Sequence, residues 1–328
     1  MKKHMNEDFC QAVIQRALSA SKIAIITHMN PDGDGICSAR AVQILLRTFG
    51  KDSCLFNEFG CPENLRFLLG NTPVFTDKEP GAEGYDLVLT IDCGSEDRAG
   101  RVGWLLKQAE YVINIDHHAT NTQFGDLNYV DAEAAATGLL IYDMYQVLGV
   151  EVTKEVAELL YAAISTDTGN FSYSNTDKRV HTVIGDLIER GADVAKLSFK
   201  LFRESTWNRL QLTREVLSTA RMYSEGKIAT MCVTAQMMRE TGTDSSDTED
   251  CINYIRDIAG VQVAVVLKET ENEGTIKVSF RSNVAIDVGK IAQEFGGGGH
   301  YAAAGCSIQA SIEEAEKAVV ARVQRALL

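Results

Sequence analysis

Tyr111-Val112-Ile113-Asn114-Ile115-Asp116-His117-His118 is an apolar run that ends on one carboxylate and two imidazoles. Consecutive histidines behind an aspartate are a costly choice for a core, so the run reads as a strand whose tip carries chemistry. The pattern recurs: Ile23 to Thr27 ends on His28, and Leu87 to Ile91 ends on Asp92. Helical stretches at Cys37 to Phe49 and Val102 to Glu110 separate these runs, and an amphipathic helix near residues 7 to 20 precedes them. Almost wholly apolar strands alternating with helices predict an α/β fold with a parallel sheet and helices on both faces. Ligands of such sheets sit beyond the carboxyl ends of the strands, where His28, Asp92 and Asp116 fall.

From Ala134 to about Ala220 the pattern turns helical, with candidate helices at Ala135 to Leu148, Lys154 to Ile164, Lys178 to Arg190 and Trp207 to Ala220. Strands at Ile228 to Val233, Val261 to Leu267 and Ile276 to Phe280, then helices near Val288 to Glu294 and Ser311 to Ala326, predict a second, smaller α/β unit. The expected division is a catalytic metal-binding domain over residues 1–190, a connector over 191–204 and a substrate-binding domain over 205–328. The polar stretch Thr241 to Asp250 reads as a loop opening a helix, with Asp247 or Thr248 as its cap.

At 328 residues and 45% hydrophobic content the chain can bury a sizeable core. The first twenty residues are broken by Glu7, Asp8, Gln11, Gln15 and Arg16, and no later run approaches a membrane span, so a cytoplasmic protein without membrane contact is expected. The eight cysteines, Cys10, Cys37, Cys54, Cys61, Cys93, Cys232, Cys251 and Cys306, form no Cys-x-x-Cys pair and read as reduced thiols; structural zinc is not indicated. A formal net charge of −13 would repel a long polyanion and excludes long duplex nucleic acid as a partner. A short phosphorylated substrate still binds where metal ions and a few cations reverse the field inside a cleft.

Thr27-His28-Met29-Asn30-Pro31-Asp32-Gly33-Asp34-Gly35 follows a strand and precedes a helix. Its glycines let both carboxylates aim into one pocket, although Asp-Gly-Asp-Gly alone is more often a plain turn. Asp92 ends the neighbouring strand, where one carboxylate with two oxygens could bridge two ions, and Asp167 follows an apolar helix in Ser165-Thr166-Asp167-Thr168-Gly169. Asp32, Asp34, Asp92 and Asp167 bring four negative charges, which two divalent cations would balance. Imidazole plus carboxylate oxygen suits Mn²⁺ above all, with Mg²⁺ or Co²⁺ also admitted. His4 in the tail and His181 on a helix call for no function. Arg98 could neutralise phosphate or cap its loop. In the second unit Phe295-Gly296-Gly297-Gly298-Gly299-His300 follows a helix. A glycine run is more often a linker, yet Gly297, Gly298 and Gly299 could let backbone amides approach an anion while His300 donates to phosphate or stacks on a base. Arg281-Ser282-Asn283, leaving a strand, offers a second grip.

In this order, His28-x-x-x-Asp32-x-Asp34, Asp92, Asp116-His117-His118, Asp167 and the distal Gly296 to His300 resemble the DHH phosphoesterase family, in the branch of bifunctional oligoribonucleases and 3′-phosphoadenosine 5′-phosphate phosphatases with a carboxyl-terminal DHH-associated domain. The resemblance implies one ion on His28, Asp32 and Asp92, and a second on Asp34, Asp92, His117 and Asp167, with Asp92 bridging. It further implies that His118 contacts the scissile phosphate, that Asp116 orients the histidine pair, and that a domain from about Ser205 holds the nucleotide through Arg281 and His300. Two ions about 3.5 to 4 Å apart would present a hydroxide in line with phosphorus. The expected substrates are short single-stranded RNA or DNA oligonucleotides, including linear dinucleotides, cut to 5′-mononucleotides, and nucleotide bisphosphates; the resemblance also points to a homodimer. A cyclic dinucleotide phosphodiesterase, a pyrophosphatase or polyphosphatase with the same centre, a RecJ-type exonuclease and a non-catalytic nucleotide sensor are the competing readings. The glycine-rich segment argues against the pyrophosphatase, and the acidic charge against the long-strand exonuclease.

Overall fold

The computed structural model describes residues 5–76, 84–248, 250–270 and 274–327, so His4 lies outside the described residues. Two compact units divide the chain, residues 1–204 and 205–328.

The first unit runs α1 (Glu7–Ser19), β1 (Ile23–Ile26), α2 (Gly33–Thr48), β2 (Cys54–Phe56), α3 (Arg66–Leu69), β3 (Val74–Phe75), β4 (Leu87–Ile91), α4 (Trp104–Gln108), β5 (Tyr111–Asp116), β6 (Leu127–Val130), α5 (Thr137–Val147), α6 (Lys154–Asp167), α7 (Lys178–Glu189) and α8 (Val194–Phe202). Its six strands pair in the order β3-β2-β1-β4-β5-β6, all parallel. Alternation along a strand sends successive side chains to opposite faces. Ile23 and Ile25 therefore join a core with α1, α2, α5 and α6, while Ala24 and Ile26 face Ala99, Val102 and Leu105 around α4. Both faces are covered, which explains why β1 and β4 are buried along their whole lengths. The stretch expected as a connector holds α8, whose Leu197 is buried in this core, so it belongs to the first unit.

The second unit runs α9 (Trp207–Ser218), β7 (Arg221–Tyr223), β8 (Ile228–Val233), α10 (Ala235–Thr241), α11 (Cys251–Arg256), β9 (Val263–Glu269), β10 (Thr275–Ser282), α12 (Val288–Glu294), β11 (Gly298–Gly299), β12 (Ala303–Gln309) and α13 (Ile312–Ala326). The sheet order is β11-β12-β10-β9-β8-β7, with only β8 and β9 parallel. α12 and α13 cover one face through Val288, Ile291, Val319 and Val323, and α9 and α11 cover the other through Leu212, Val216, Ile252 and Ile255. The expected caps do not form: α11 starts after Asp250, whose side chain makes no cap bond, while Thr248 Oγ1 donates to Ser245 O and Asp247 accepts from Asp244 N. Those side chains are engaged in the turn itself, and Lys268 Nζ from β9 donates to Thr248 Oγ1 at 3.0 Å.

Among the described residues no helix is long and apolar enough to cross a membrane. All eight cysteines are free thiols, as expected, and seven of them are buried.

Candidate metal centre

The tips of β1, β4 and β5, the start of α2 and the end of α6 bring together the acidic and imidazole residues singled out in the sequence. Three overlapping groups form: His28 with Asp32 and Asp92; Asp34 with His117 and Asp167; and Asp92 with His117 and His118. Within each, the donor atoms lie within 4.8 Å of one another. Asp92 stands in the middle. Its Oδ2 lies 3.4 Å from His28 Nε2, and its Oδ1 lies 3.6 Å from both His117 Nε2 and His118 Nδ1. The two oxygens of one carboxylate thus face different donor groups. Asp92 holds this position with φ at +59°, a left-handed conformation that costs a non-glycine residue about 1–3 kcal/mol. Its backbone N–H remains tied to Ile115 O at 2.9 Å.

Asp32 caps α2 by accepting from Gly35 N at 3.0 Å and lies 3.5 Å from His28 Nε2. Gly35 is required at that point, because a Cβ there would collide with Thr27 Oγ1 and stand 3.4 Å from Asp92 Oδ2. Asp34, completely buried, accepts from the backbone N–H of Thr137 at 2.6 Å and of Gly138 at 2.8 Å. Asp167 Oδ2 lies 3.2 Å from His117 Nε2. Past it the chain turns through three left-handed residues, Gly169, Asn170 and Phe171, with Asn175 Nδ2 holding Asp167 O at 3.1 Å.

Each histidine is oriented by its other nitrogen. His28 Nδ1 lies 2.8 Å from Met29 O, and His117 Nδ1 lies 3.1 Å from Ala134 O. A carbonyl only accepts, so Nδ1 carries a proton in both rings and Nε2 faces the carboxylates, where it can give its lone pair to a cation that displaces any proton there. His118 differs: its Nδ1 donates to Asp116 Oδ1 at 2.7 Å, and its side chain is 36% exposed. Asp116 Oδ2 is held by Asn121 Nδ2 at 2.6 Å, and Asn121 also reaches Asn114 Oδ1 at 2.8 Å. Asn114 continues the network to Thr90 Oγ1 and to Cys93 O. Cys93 and Gly94 act through their carbonyls, which accept from Asn114 and Asn121 and from Thr122 N respectively, lashing the loop after β4 to the loop after β5.

The electrostatics fit a cation. Burial, with repulsion from Asp92, Asp167 and Asp32, pushes the Asp34 carboxyl well above its ordinary range. Burial, opposed by His117 but aided by Asp92 and Asp32, lifts Asp167 to about 7. For His28, burial alone would lower the pKa, but hydrogen bonds and charge from Asp32 and Asp92 prevail and carry it up to about 10. Protons are what such a cluster takes up when no metal neutralises it, and a donor set of imidazole and carboxylate with no thiolate suits a hard or borderline divalent ion. Cys93, though adjacent, has its Sγ turned to Ser95 O.

Arg98 is exposed, with Nη2 3.2 Å from His28 Nδ1, while its carbonyl accepts from Met29 N. The remaining expected residues belong to the second unit. Arg281 on β10 pairs with Ala303, and Ala303 exchanges backbone hydrogen bonds with His300, so Arg281 and His300 share one end of that sheet. The glycine run is a tight hairpin. A Cβ on Gly297 would strike Gly305 O, and one on Gly299, at φ +144°, would lie 2.5 Å from Ala304 Cα. These glycines make room for the neighbouring strand, so neither a linker nor an anion is needed to explain them. Ser282 Oγ donates to Val284 O, and Asn283 Nδ2 donates to Arg256 O at 2.7 Å and Val261 O at 3.2 Å, engagements within their own unit.

Thr137 and Asn121 were absent from the sequence reading. Both are ordinary polar residues outside any short motif, and only the fold places them against the carboxylates.

The DHH family N-terminal domain matches residues 22–164, and the DHHA1 domain matches residues 226–327. The chain is 36% identical over 307 residues, 93% of its length and 90% of the relative's, to a Thermus thermophilus protein named bifunctional oligoribonuclease and PAP phosphatase NrnA. Its fold is similar, at TM-score 0.90 and 24% identity over 100% of this chain and 97% of the other, to an exopolyphosphatase-related protein from Bacteroides fragilis. A further likeness, at TM-score 0.53 and 17% identity over 99% of this chain and 95% of the other, is to exonuclease RecJ bound to manganese. The strand-tip acids and histidines fall inside the first matched domain or, for Asp167, just beyond it, and the glycine hairpin falls inside the second; the chain belongs to the DHH phosphoesterase family, with a DHH domain followed by a DHHA1 domain.

Proposed function

We propose that the chain hydrolyses short single-stranded oligonucleotides to 5′-mononucleotides and removes a phosphate from nucleotide bisphosphates such as 3′-phosphoadenosine 5′-phosphate, with two divalent cations, Mn²⁺ foremost. The observation that carries the reading is the placement of Asp92, one oxygen toward His28 and the other toward His117 and His118. His28, Asp32 and Asp92 would hold one ion, and Asp34, Asp92, His117 and Asp167 the other. Ions so held draw electron density from phosphoryl oxygens and lower the pKa of water.

The chain's own groups do the positioning. With Nδ1 committed to Asp116, His118 has Nε2 available to a phosphate oxygen, and Asn121 keeps Asp116 from turning away. Arg98 supplies a positive charge beside His28. Arg281 and His300 would meet the nucleotide, while the hairpin glycines and Asn283 fix the backbone that carries them. The net charge of −13 favours short substrates over long duplexes. The relative named as an oligoribonuclease and PAP phosphatase, 36% identical, supports this substrate class.

The test is a panel of 3′-phosphoadenosine 5′-phosphate, di- and trinucleotides, a longer oligomer, a cyclic dinucleotide and pyrophosphate, assayed with Mn²⁺ and after chelation. Turnover of the bisphosphate and the shortest oligomers, lost on chelation, is expected. Turnover confined to pyrophosphate, or undiminished by chelator, would overturn the proposal.

A further inference from the structure

We infer that Thr137 is a positioning residue that fixes the shared carboxylate and ties it to Asp34 in the group around His117. The inference rests on the two-cation reading above and deepens it. Thr137 is fully buried as the first residue of α5 and bonds both to the shared carboxylate and to Asp34 of the group around His117. Its Oγ1 donates to Asp92 Oδ1 at 2.9 Å, while its backbone N–H donates to Asp34 Oδ2 at 2.6 Å. Gly138 N adds a second bond to Asp34, on Oδ1, at 2.8 Å.

The amides at the start of a helix lack intrahelical partners, and here Ala136 at the cap offers no side-chain acceptor. Asp34, from α2, takes that place. Gly138 allows the approach, since a Cβ there would lie 2.7 Å from Ala163 Cβ and 3.4 Å from Asp34 Oδ1. The Thr137 hydroxyl has one proton, and Asp92 Oδ1 receives it. A carboxylate free to rotate about its last bond could turn its plane so that its oxygens no longer face the two donor groups. The Thr137 bond holds Oδ1 toward His117 and His118 and leaves Oδ2 toward His28. The same residue therefore orients the carboxylate that two cations would share and the carboxylate that belongs to one of them.

Thr137→Val keeps the branched shape and removes the hydroxyl, whereas Thr137→Ser keeps the hydroxyl. Binding of Mn²⁺ to the metal-stripped full chain, followed by the electron paramagnetic resonance of free Mn²⁺, is compared for wild type and both variants, with the melting temperature of each metal-free protein. Wild type is expected to bind two ions. Thr137→Val should weaken at least one of them by about 10–100-fold, the effect typical of losing an outer partner of a metal ligand, and Thr137→Ser should recover most of the loss. If Thr137→Val binds Mn²⁺ as wild type does, the role of Thr137 is refuted while the two-cation reading stands. If wild type itself binds no Mn²⁺, the reading beneath it fails. Should Thr137→Val lower the metal-free melting temperature, the serine variant decides: equal loss of Mn²⁺ with the hydroxyl retained assigns the effect to packing and overturns the proposal.

Discussion

The two units place their polar chemistry in opposite ways. In the first, a parallel sheet gathers buried carboxylates and imidazoles at its strand tips, at a cost visible in the raised Asp34 and Asp167 carboxyls and the left-handed Asp92. In the second, a mixed sheet carries exposed His300 on a hairpin that glycines define and half-buried Arg281 on the neighbouring β10. The first unit is expensive in its side chains, the second in its backbone. The difference teaches where each should break: side-chain deletions should silence the first without unfolding it, and single methyl groups against β12 should destabilise the second.

Deleting the shared carboxylate gives the largest expected effect. Asp92→Ala removes an oxygen from each donor group and should lower turnover on the order of a thousandfold, with circular dichroism unchanged. Substantial activity of that variant in Mn²⁺ would contradict the bridging role. The hairpin comes next. Gly297→Ala and Gly299→Ala place a methyl group against β12 and should each cost about 1–3 kcal/mol, read from urea unfolding of the second unit. Gly298→Ala, which meets nothing within 4 Å, should be close to neutral. Equal behaviour of the three would mean that the glycines serve something other than packing.

A smaller effect is expected at Asn121. Asn121→Ala leaves the buried Asp116 Oδ2 without its donor and should cost about 1–3 kcal/mol of positioning, read as a fall in kcat with KM little changed. A rise in KM alone would show that Asn121 acts on binding instead.

Much of this was legible in the sequence because it was anomalous. Asp116-His117-His118 after an apolar strand, and His28 with Asp32 and Asp34 in a glycine-rich loop, are too costly to be core. Asp167 stood out only in company, since alone it passes for a helix end. The strands β2, β3 and β6 escaped because two or three residues, or a half-buried edge, leave no alternation to read. β12 begins Ala303-Ala304-Gly305, small residues of low strand propensity that pair only because β10 is beside them. Residues 191–204 looked like a connector, but the amphipathic α8 they contain buries Leu197. Thr137 and Asn121 were invisible for a different reason: hydrogen-bonding partners that come from other strands and helices leave no local signature.

The smallest effect is on stability against pH in the metal-free protein. A group whose folded pKa is raised contributes stability below its ordinary pKa and loses it as pH rises through the folded value. Asp167, raised from 3.8 to about 7, and His28, raised from 6.5 to about 10, both act in this direction. The metal-free melting temperature should therefore fall as pH rises across those windows, and Mn²⁺ should raise it more at about pH 8 than at about pH 5, because binding displaces protons. An equal gain at both would show that these groups do not meet the metal.

Anomalous diffraction from crystals grown with Mn²⁺ tests the centre most directly. Two peaks flanking Asp92, one beside His28 and Asp32 and the other beside Asp34, His117 and Asp167, are the expected result. No peak there, or a single one that Asp92 does not touch, would contradict the account.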